Sequence, residues 1–209
     1  MKFEVKNLSC QRAGKYLFRR LNFDISPGQL IVIQGFNGAG KSSLLKILAG
    51  IMLPEKGKLL WNKMAIDDPT SPFYEHISYL GHKDGLRQAL TPIENINSHF
   101  ALANAKITPH EQHEVLSALN LTAERDQPCE ILSAGQRRKV MLAMVILKRK
   151  SLWILDEPFT AVDRTSCETL KRYFDQHLAH QGMIIMTSHT FEKDNRAQMI
   201  DLSMQENLC

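Results

Sequence analysis

The sequence predicts an α/β fold with a helical lobe inserted into it, and three observations predict it. An apolar run, Leu30-Ile31-Val32-Ile33, leads through a Gly-rich loop into Ser43-Leu44-Leu45-Lys46-Ile47-Leu48-Ala49, which has helical spacing. From about residue 92 the pattern becomes helical. Near residue 151 strands and helices alternate again: Leu152-Trp153-Ile154-Leu155 and Met183-Ile184-Ile185-Met186 read as buried strands, with a helix from Ser166 to His180 between them.

The elements follow in order. Residues 2–8 and about 18–25 read as strands around a turn at Arg12-Ala13-Gly14-Lys15. Pro27-Gly28 turns the chain into the first apolar run, and Pro54-Glu55-Lys56-Gly57 turns it into Lys58-Leu59-Leu60-Trp61. Ile77-Ser78-Tyr79-Leu80 reads as one more strand. Thr91 with Pro92 and Glu94 has the form of a capping box that opens a helix. Thr108, Pro109 and Glu111 repeat that form, and Val115, Leu116 and Leu119 then fall at helical spacing. The chain has no internal repeat, low-complexity tract or linker. It reads as one domain over residues 1–209, with a core at about 1–84 and 150–209 and a helical lobe at about 85–149.

Composition bounds the function. Hydrophobic residues make up 44% and charged residues 23% of the 209, so the chain is globular. The net charge is +4, and the basic clusters Arg137-Arg138-Lys139 and Lys148-Arg149-Lys150 are short. Such runs are ordinary at solvated helix ends, so no nucleic-acid partner is expected, and any pull toward an anionic membrane surface is weak. No apolar stretch approaches the roughly 20 residues needed to span a bilayer. Met1-Lys2-Phe3-Glu4-Val5-Lys6 alternates like a strand and has no signal-peptide core, so the cytoplasm is the expected compartment. Cys10, Cys129, Cys167 and Cys209 are far apart and lack metal-ligand spacing, which reads as reduced thiols.

The chemistry lies in the loops. Gly35-Phe36-Asn37-Gly38-Ala39-Gly40-Lys41-Ser42 is a complete phosphate-binding loop, and Ser43 follows it. Its glycines let N–H groups turn inward around phosphates, and the helix N-terminus adds partial positive charge. Lys41 supplies a full charge at the β- and γ-phosphates. The Ser42 hydroxyl can complete a Mg²⁺ shell. A purely structural turn has no need of Lys-Ser after its last glycine.

Asp156 and Glu157 end an apolar strand. If that strand lies beside the phosphate-loop strand, Asp156 reaches the Mg²⁺ directly or through water. Glu157 then stands near the γ-phosphate, where a carboxylate takes a proton from the attacking water or orients it. Taken alone, the pair also fits a solvated turn. In Leu132-Ser133-Ala134-Gly135-Gln136, Ser133 is placed to cap the helical run Arg137 to Leu147, whose N-terminus suits an anion. A plain capped helix fits that pentapeptide too. Thr187-Ser188-His189 puts a histidine after the last apolar strand, where it can touch a γ-phosphate, although a lone histidine is more often plain surface.

In this order the motifs closely resemble the ATP-binding cassette family, over essentially the whole chain. Leu132-Ser133-Ala134-Gly135-Gln136 is similar to the family's Leu-Ser-Gly-Gly-Gln signature, with Ala134 for its first Gly. Asp163, in Phe159-Thr160-Ala161-Val162-Asp163, is similar to the D-loop Asp, and His189 to the switch histidine. The resemblance implies a P-loop NTPase fold with a RecA-like core, an antiparallel β subdomain and an inserted helical lobe. It implies ATP and Mg²⁺ as ligands. It also implies a homodimer in which each ATP lies between the phosphate loop of one copy and Ser133, Gly135 and Gln136 of the other.

Two positions depart from the family pattern. His82 stands where a glutamine usually couples the metal site to the transmembrane partner. A neutral imidazole can accept from a Mg²⁺-bound water or ligate the metal, and protonation opposes that role. Arg12 stands where an aromatic usually stacks on adenine. Its guanidinium plane can stack on a base, and Tyr16 is the other candidate.

Within the family, Tyr79-Leu80-Gly81-His82, Leu90-Thr91-Pro92-Ile93-Glu94-Asn95 and Leu155-Asp156-Glu157-Pro158-Phe159-Thr160-Ala161 resemble the ATP-binding subunit of the cytochrome c biogenesis exporter. That implies a membrane permease partner with haem-handling membrane proteins, a peripheral place on the cytoplasmic face of the bacterial inner membrane, and a role in haem export or delivery. The chain has no Cys-x-x-Cys-His, and His110 with His113 reads as a solvated helix face, so any haem falls to the partner. The competing readings are a cassette serving another substrate, a soluble cassette acting on ribosomes or DNA, and a scaffold without turnover. Glu157 argues against the last.

Overall fold

The computed structural model describes residues 1–68, 70–83, 85–188 and 196–203. Two compact units divide the chain. The first comprises Met1–Gly81, Lys150–Glu157 and His177–Cys209, and the second His82–Arg149 and Pro158–Gln176. Residues 158–176, placed with the core in the sequence reading, group here with the helical stretch.

In the first unit, β1 (Phe3–Arg12) and β2 (Lys15–Ile25) form a hairpin. Its turn is Ala13-Gly14, with φ of 47° and 79°. Two successive positive values give the turn whose twist matches that of the flanking strands. Both strands therefore run up to the turn, further than the sequence indicates. β3 (Leu30–Gln34), α1 (Lys41–Leu48), β4 (Lys56–Trp61), β5 (Met64–Ala65), α2 (Phe73–His76) and β6 (Ile77–Leu80) follow. After the second unit's first stretch come β7 (Leu152–Leu155), β8 (Met183–Thr187) and β9 (Ala197–Asp201).

Two sheets result. One is antiparallel, in the order β2-β1-β4-β5, and the other runs β6-β7-β8-β3-β9. Every pairing in the second sheet is parallel. One face of that sheet, through Ile31, Ile33, Leu152, Ile154, Met183 and Ile185, shares a core with Leu44, Leu45, Ile47 and Leu48 of α1. Phe3, Val5, Leu8, Phe18, Phe23 and Ile25 of the antiparallel sheet complete that core. The alternate residues Val32, Trp153, Ile184 and Met186 are buried as well. Strands covered on both faces need apolar side chains at every position, which is why they read as unbroken runs. On the second face Trp153 stacks on His177, with ring centroids 3.9 Å apart.

The second unit holds α3 (Pro92–Leu102), α4 (Pro109–Ala118), a 3-10 turn at Cys129–Ile131, α5 (Ala134–Leu147) and most of α6 (Arg164–Ala179). Thr91, Thr108 and Ser133 each close a reciprocal capping box, with Glu94, Glu111 and Gln136. Each box satisfies two backbone donors that a helix start leaves without an internal partner. Val115, Leu116 and Leu119 are buried, whereas His110 and His113 are exposed. Cys10, Cys129 and Cys167 are free thiols, and Cys209 lies outside the described residues. Among those residues, no helix is long and apolar enough to cross a membrane.

Candidate nucleotide-binding site

The loop from Gly35 to Gly40 leaves the carboxyl end of β3, the side on which open parallel sheets bind ligands. Gly38 and Gly40 have φ of 93° and 95°, a region open to glycine at little cost. Gly40 also has no room for a side chain, since a Cβ there would come 2.9 Å from that of Leu17. Gly40 stands at the N-cap of α1 and offers no side-chain cap. The first-turn N–H groups therefore have no side-chain acceptor at this end, which suits an anion. Lys41 is buried, and its Nζ donates to the carbonyls of Gly35 (2.7 Å) and Phe36 (3.1 Å). The ammonium is thus held over the mouth of the loop. Phe36, Asn37 and Ser42 are exposed, whereas Ala39 and Ser43 are buried.

Asp156 and Glu157 follow β7. The sequence expectation set this strand beside β3, but β8 lies between the two. With strands about 4.8 Å apart, the carboxylates start roughly 10 Å from β3 along the same sheet edge. Asp156 is buried, and its Oδ1 accepts from the Thr187 hydroxyl at 2.7 Å. The same hydroxyl oxygen accepts from the Glu157 N–H at 2.8 Å. Glu157 has φ of 51°, and strain of this kind persists only where the surroundings hold it. Thr187 therefore aims both carboxylate residues, one through its donor and one through its acceptor.

The sequence reading singled out His189 in this triplet and passed over Thr187. Thr187→Val keeps the shape and removes both hydrogen bonds. It should cost about 1–3 kcal/mol of stability, read as a lower urea midpoint, and should lower ATP turnover more than ATP affinity. Unchanged stability and turnover would remove Thr187 from the site.

The second unit carries the other cluster. Ser133 caps α5: its Oγ accepts from the Gln136 N–H at 3.2 Å, and the Gln136 Oε1 accepts from the Ser133 N–H at 2.8 Å. The Gln136 Nε2 donates to Glu124 Oε1 at 2.8 Å. Both ends of the Gln136 amide are thus engaged within the lobe, and the residue fixes the backbone around Ser133. A side chain on Gly135 would collide with the carbonyl of Ala161. Asp163 caps α6 by accepting from the Ser166 N–H at 2.9 Å. That bond, with help from Lys139, holds its carboxyl well below the usual range, at about 2.

The remaining candidates make no described contact with these clusters or lie outside the described residues. Arg12 is the exposed last residue of β1, and the Arg19 guanidinium lies 3.9 Å over the Tyr16 ring. His82 is exposed in the second unit. His189 lies outside the described residues. Among the described residues no three His, Cys, Asp or Glu groups form a cluster that could hold a metal ion. The oxygen donors of Ser42 and Asp156 fit Mg²⁺, which commonly takes one or two protein oxygens alongside phosphates and water.

Comparison with known proteins agrees with this architecture. Residues 18–160 match the ABC transporter family. The cytochrome c biogenesis ATP-binding export protein CcmA of Histophilus somni is 37% identical over 199 residues, which cover 95% of this chain and 92% of that protein. The protein of the same name from Nitrosomonas europaea is 40% identical over 88% of this chain and 87% of its own. Among solved structures, an ABC transporter ATP-binding protein from Pyrococcus furiosus superposes with a TM-score of 0.85, at 23% identity, over 98% of this chain and 99% of that one. An ATP-binding subunit of an ABC transporter gives a TM-score of 0.82, at 22% identity, over 97% and 87%. The structures speak for the fold, and the sequence matches for the lineage. The chain belongs to the ABC transporter family as an ATP-binding ATPase domain, on the branch of the cytochrome c biogenesis ATP-binding export proteins.

Proposed function

We propose that this chain is the ATP-hydrolysing subunit of a membrane complex for cytochrome c biogenesis, where hydrolysis drives haem export, haem delivery or release of a haem-loaded carrier. The observation that carries it is 37–40% identity, over most of the chain, to several proteins that bear that name. In this reading residues 1–209 act as one ATP-binding domain. Two copies pair, and an integral membrane permease subunit docks the pair on the cytoplasmic face of the inner membrane. Haem stays with the membrane partners.

Each residue then has a task. Gly35 to Ser43 wrap the triphosphate, and Lys41 exchanges its loop carbonyls for the β- and γ-phosphates. Ser42 and Asp156, with His82 as a further candidate, would hold Mg²⁺, whose charge offsets that of the phosphates when bound. Glu157 takes the proton of the attacking water or orients it. His189 meets the γ-phosphate, and Arg12 lies against the adenine. Ser133, Gly135 and Gln136 of the other copy present the N-terminus of α5 to the same nucleotide, and Asp163 completes that contact.

The test is haem staining of c-type cytochromes in bacteria that lack their own version of this subunit. Cells would express this chain with its neighbouring membrane subunit, as wild type or as Glu157→Gln. Maturation restored by the wild type alone supports both the pathway and the need for hydrolysis. No rescue, from a stable complex with active ATPase, would assign the chain to another substrate. In the same complex His82→Gln should cost less than about tenfold in turnover, the equivalent of roughly 1.4 kcal/mol at the barrier. Loss of nucleotide binding in that variant would remove His82 from the loop role assigned to it.

A further inference from the structure

Lys139 lies one turn along α5 from Gly135, so the two residues share a face of the helix. That face meets the segment leading into α6 at two points. At Gly135 the missing side chain leaves space for the carbonyl of Ala161. At Lys139 the Nζ lies 3.2 Å from Asp163 Oδ2 and 3.4 Å from the Asn120 carbonyl. The lysine side chain is only 8% exposed, whereas that of Asp163 is 50% exposed. A half-solvated ion pair adds little net stability, and burying an ammonium is costly. An apolar residue would fill the position at less expense. Asp163 is also tied down from its other side, since it accepts from the Ser166 N–H and the Ser166 hydroxyl donates to the Leu119 carbonyl at 3.4 Å.

We propose that Lys139 is a positioning residue that clamps the Pro158–Asp163 segment onto the face of α5 whose N-terminus bears Ser133. The segment continues directly from Glu157, so the clamp fixes the chain leaving the carboxylate strand relative to the signature turn. The functional half of this inference rests on the ATPase reading above; the clamp itself does not.

The asymmetry in burial makes a clean test. Lys139→Met keeps most of the stem and leaves Asp163 to be hydrated by water, so the fold survives. Amide exchange in the purified subunit should then quicken on the order of tenfold at Ser166 and through 159–163, with α4 unchanged. Lys139→Arg should restore protection. In the complex with the membrane subunit, Lys139→Met should lower kcat with little change in the KM for ATP, and Lys139→Arg should recover it. Unchanged exchange in the Met variant overturns the clamp. Faster exchange with unchanged kcat, or a loss of kcat that only tracks a lowered melting temperature without rescue by Arg, overturns its role in turnover. Faster exchange in a complex whose wild type hydrolyses no ATP supports the clamp and overturns the ATPase reading instead.

Discussion

Replacing Glu157 by Gln should slow ATP hydrolysis by about 10²–10⁴-fold while leaving ATP bound, the range a positioned general base supplies. The substitution is a sharp probe here because Gln matches Glu in size and faces the same backbone cost at φ of 51°. The N–H of residue 157 still donates to Thr187, so the strand end keeps its geometry. What changes is the charge and the basicity. The variant should accumulate as an ATP-bound pair of subunits, visible as ATP-dependent dimerisation in size-exclusion chromatography with light scattering. Phosphate release at the wild-type rate would take the base assignment away from Glu157.

Replacing Lys41 by Ala should weaken binding of Mg²⁺-ATP by about 100-fold or more. Truncating one partner of a desolvated charge pair costs roughly 2–5 kcal/mol, and each 1.4 kcal/mol is tenfold in affinity. Lys41 also braces its own loop through the carbonyls of Gly35 and Phe36, so a modest loss of stability should accompany the loss of affinity. Calorimetric titration separates the two, because Lys41→Ala at a temperature well below its melting point is still folded. Unaltered affinity would mean that the loop does not cradle phosphate.

The parts of this molecule that were legible in the sequence share a physical cause. Capping boxes at Thr91 and Thr108 and the cap at Ser133 are settled by residues a few positions apart, and all three form, the last also as a reciprocal box with Gln136. The runs 30–33, 152–155 and 183–186 are apolar at every position because both faces are covered, and length alone then separates strand from helix. What stayed hidden depends on distant partners. β9, Ala197-Gln198-Met199-Ile200-Asp201, has no strong pattern of its own and is a strand because β3 offers it a ladder. α2 is a single turn, too short to show a period. The Asp156 and Glu157 motif was readable, but the intervening β8, and with it the place of Thr187, follows from strand order. The Lys139–Asp163 pair joins residues of two different helical segments, and a lysine in a basic cluster gives no sign of being buried.

The position of β3 bears on how the chain emerges from the ribosome. The strand that launches the phosphate loop is flanked by residues 183–187 on one side and 197–201 on the other. While the nascent chain is shorter than that, the β1–β2 hairpin and β4 can pair locally, but β3 has no ladder on either edge. Ile31 and Ile33 can already pack on α1 and the hairpin, but both backbone edges of β3 wait for the C-terminal strands, and pairing over so long a sequence separation slows final assembly.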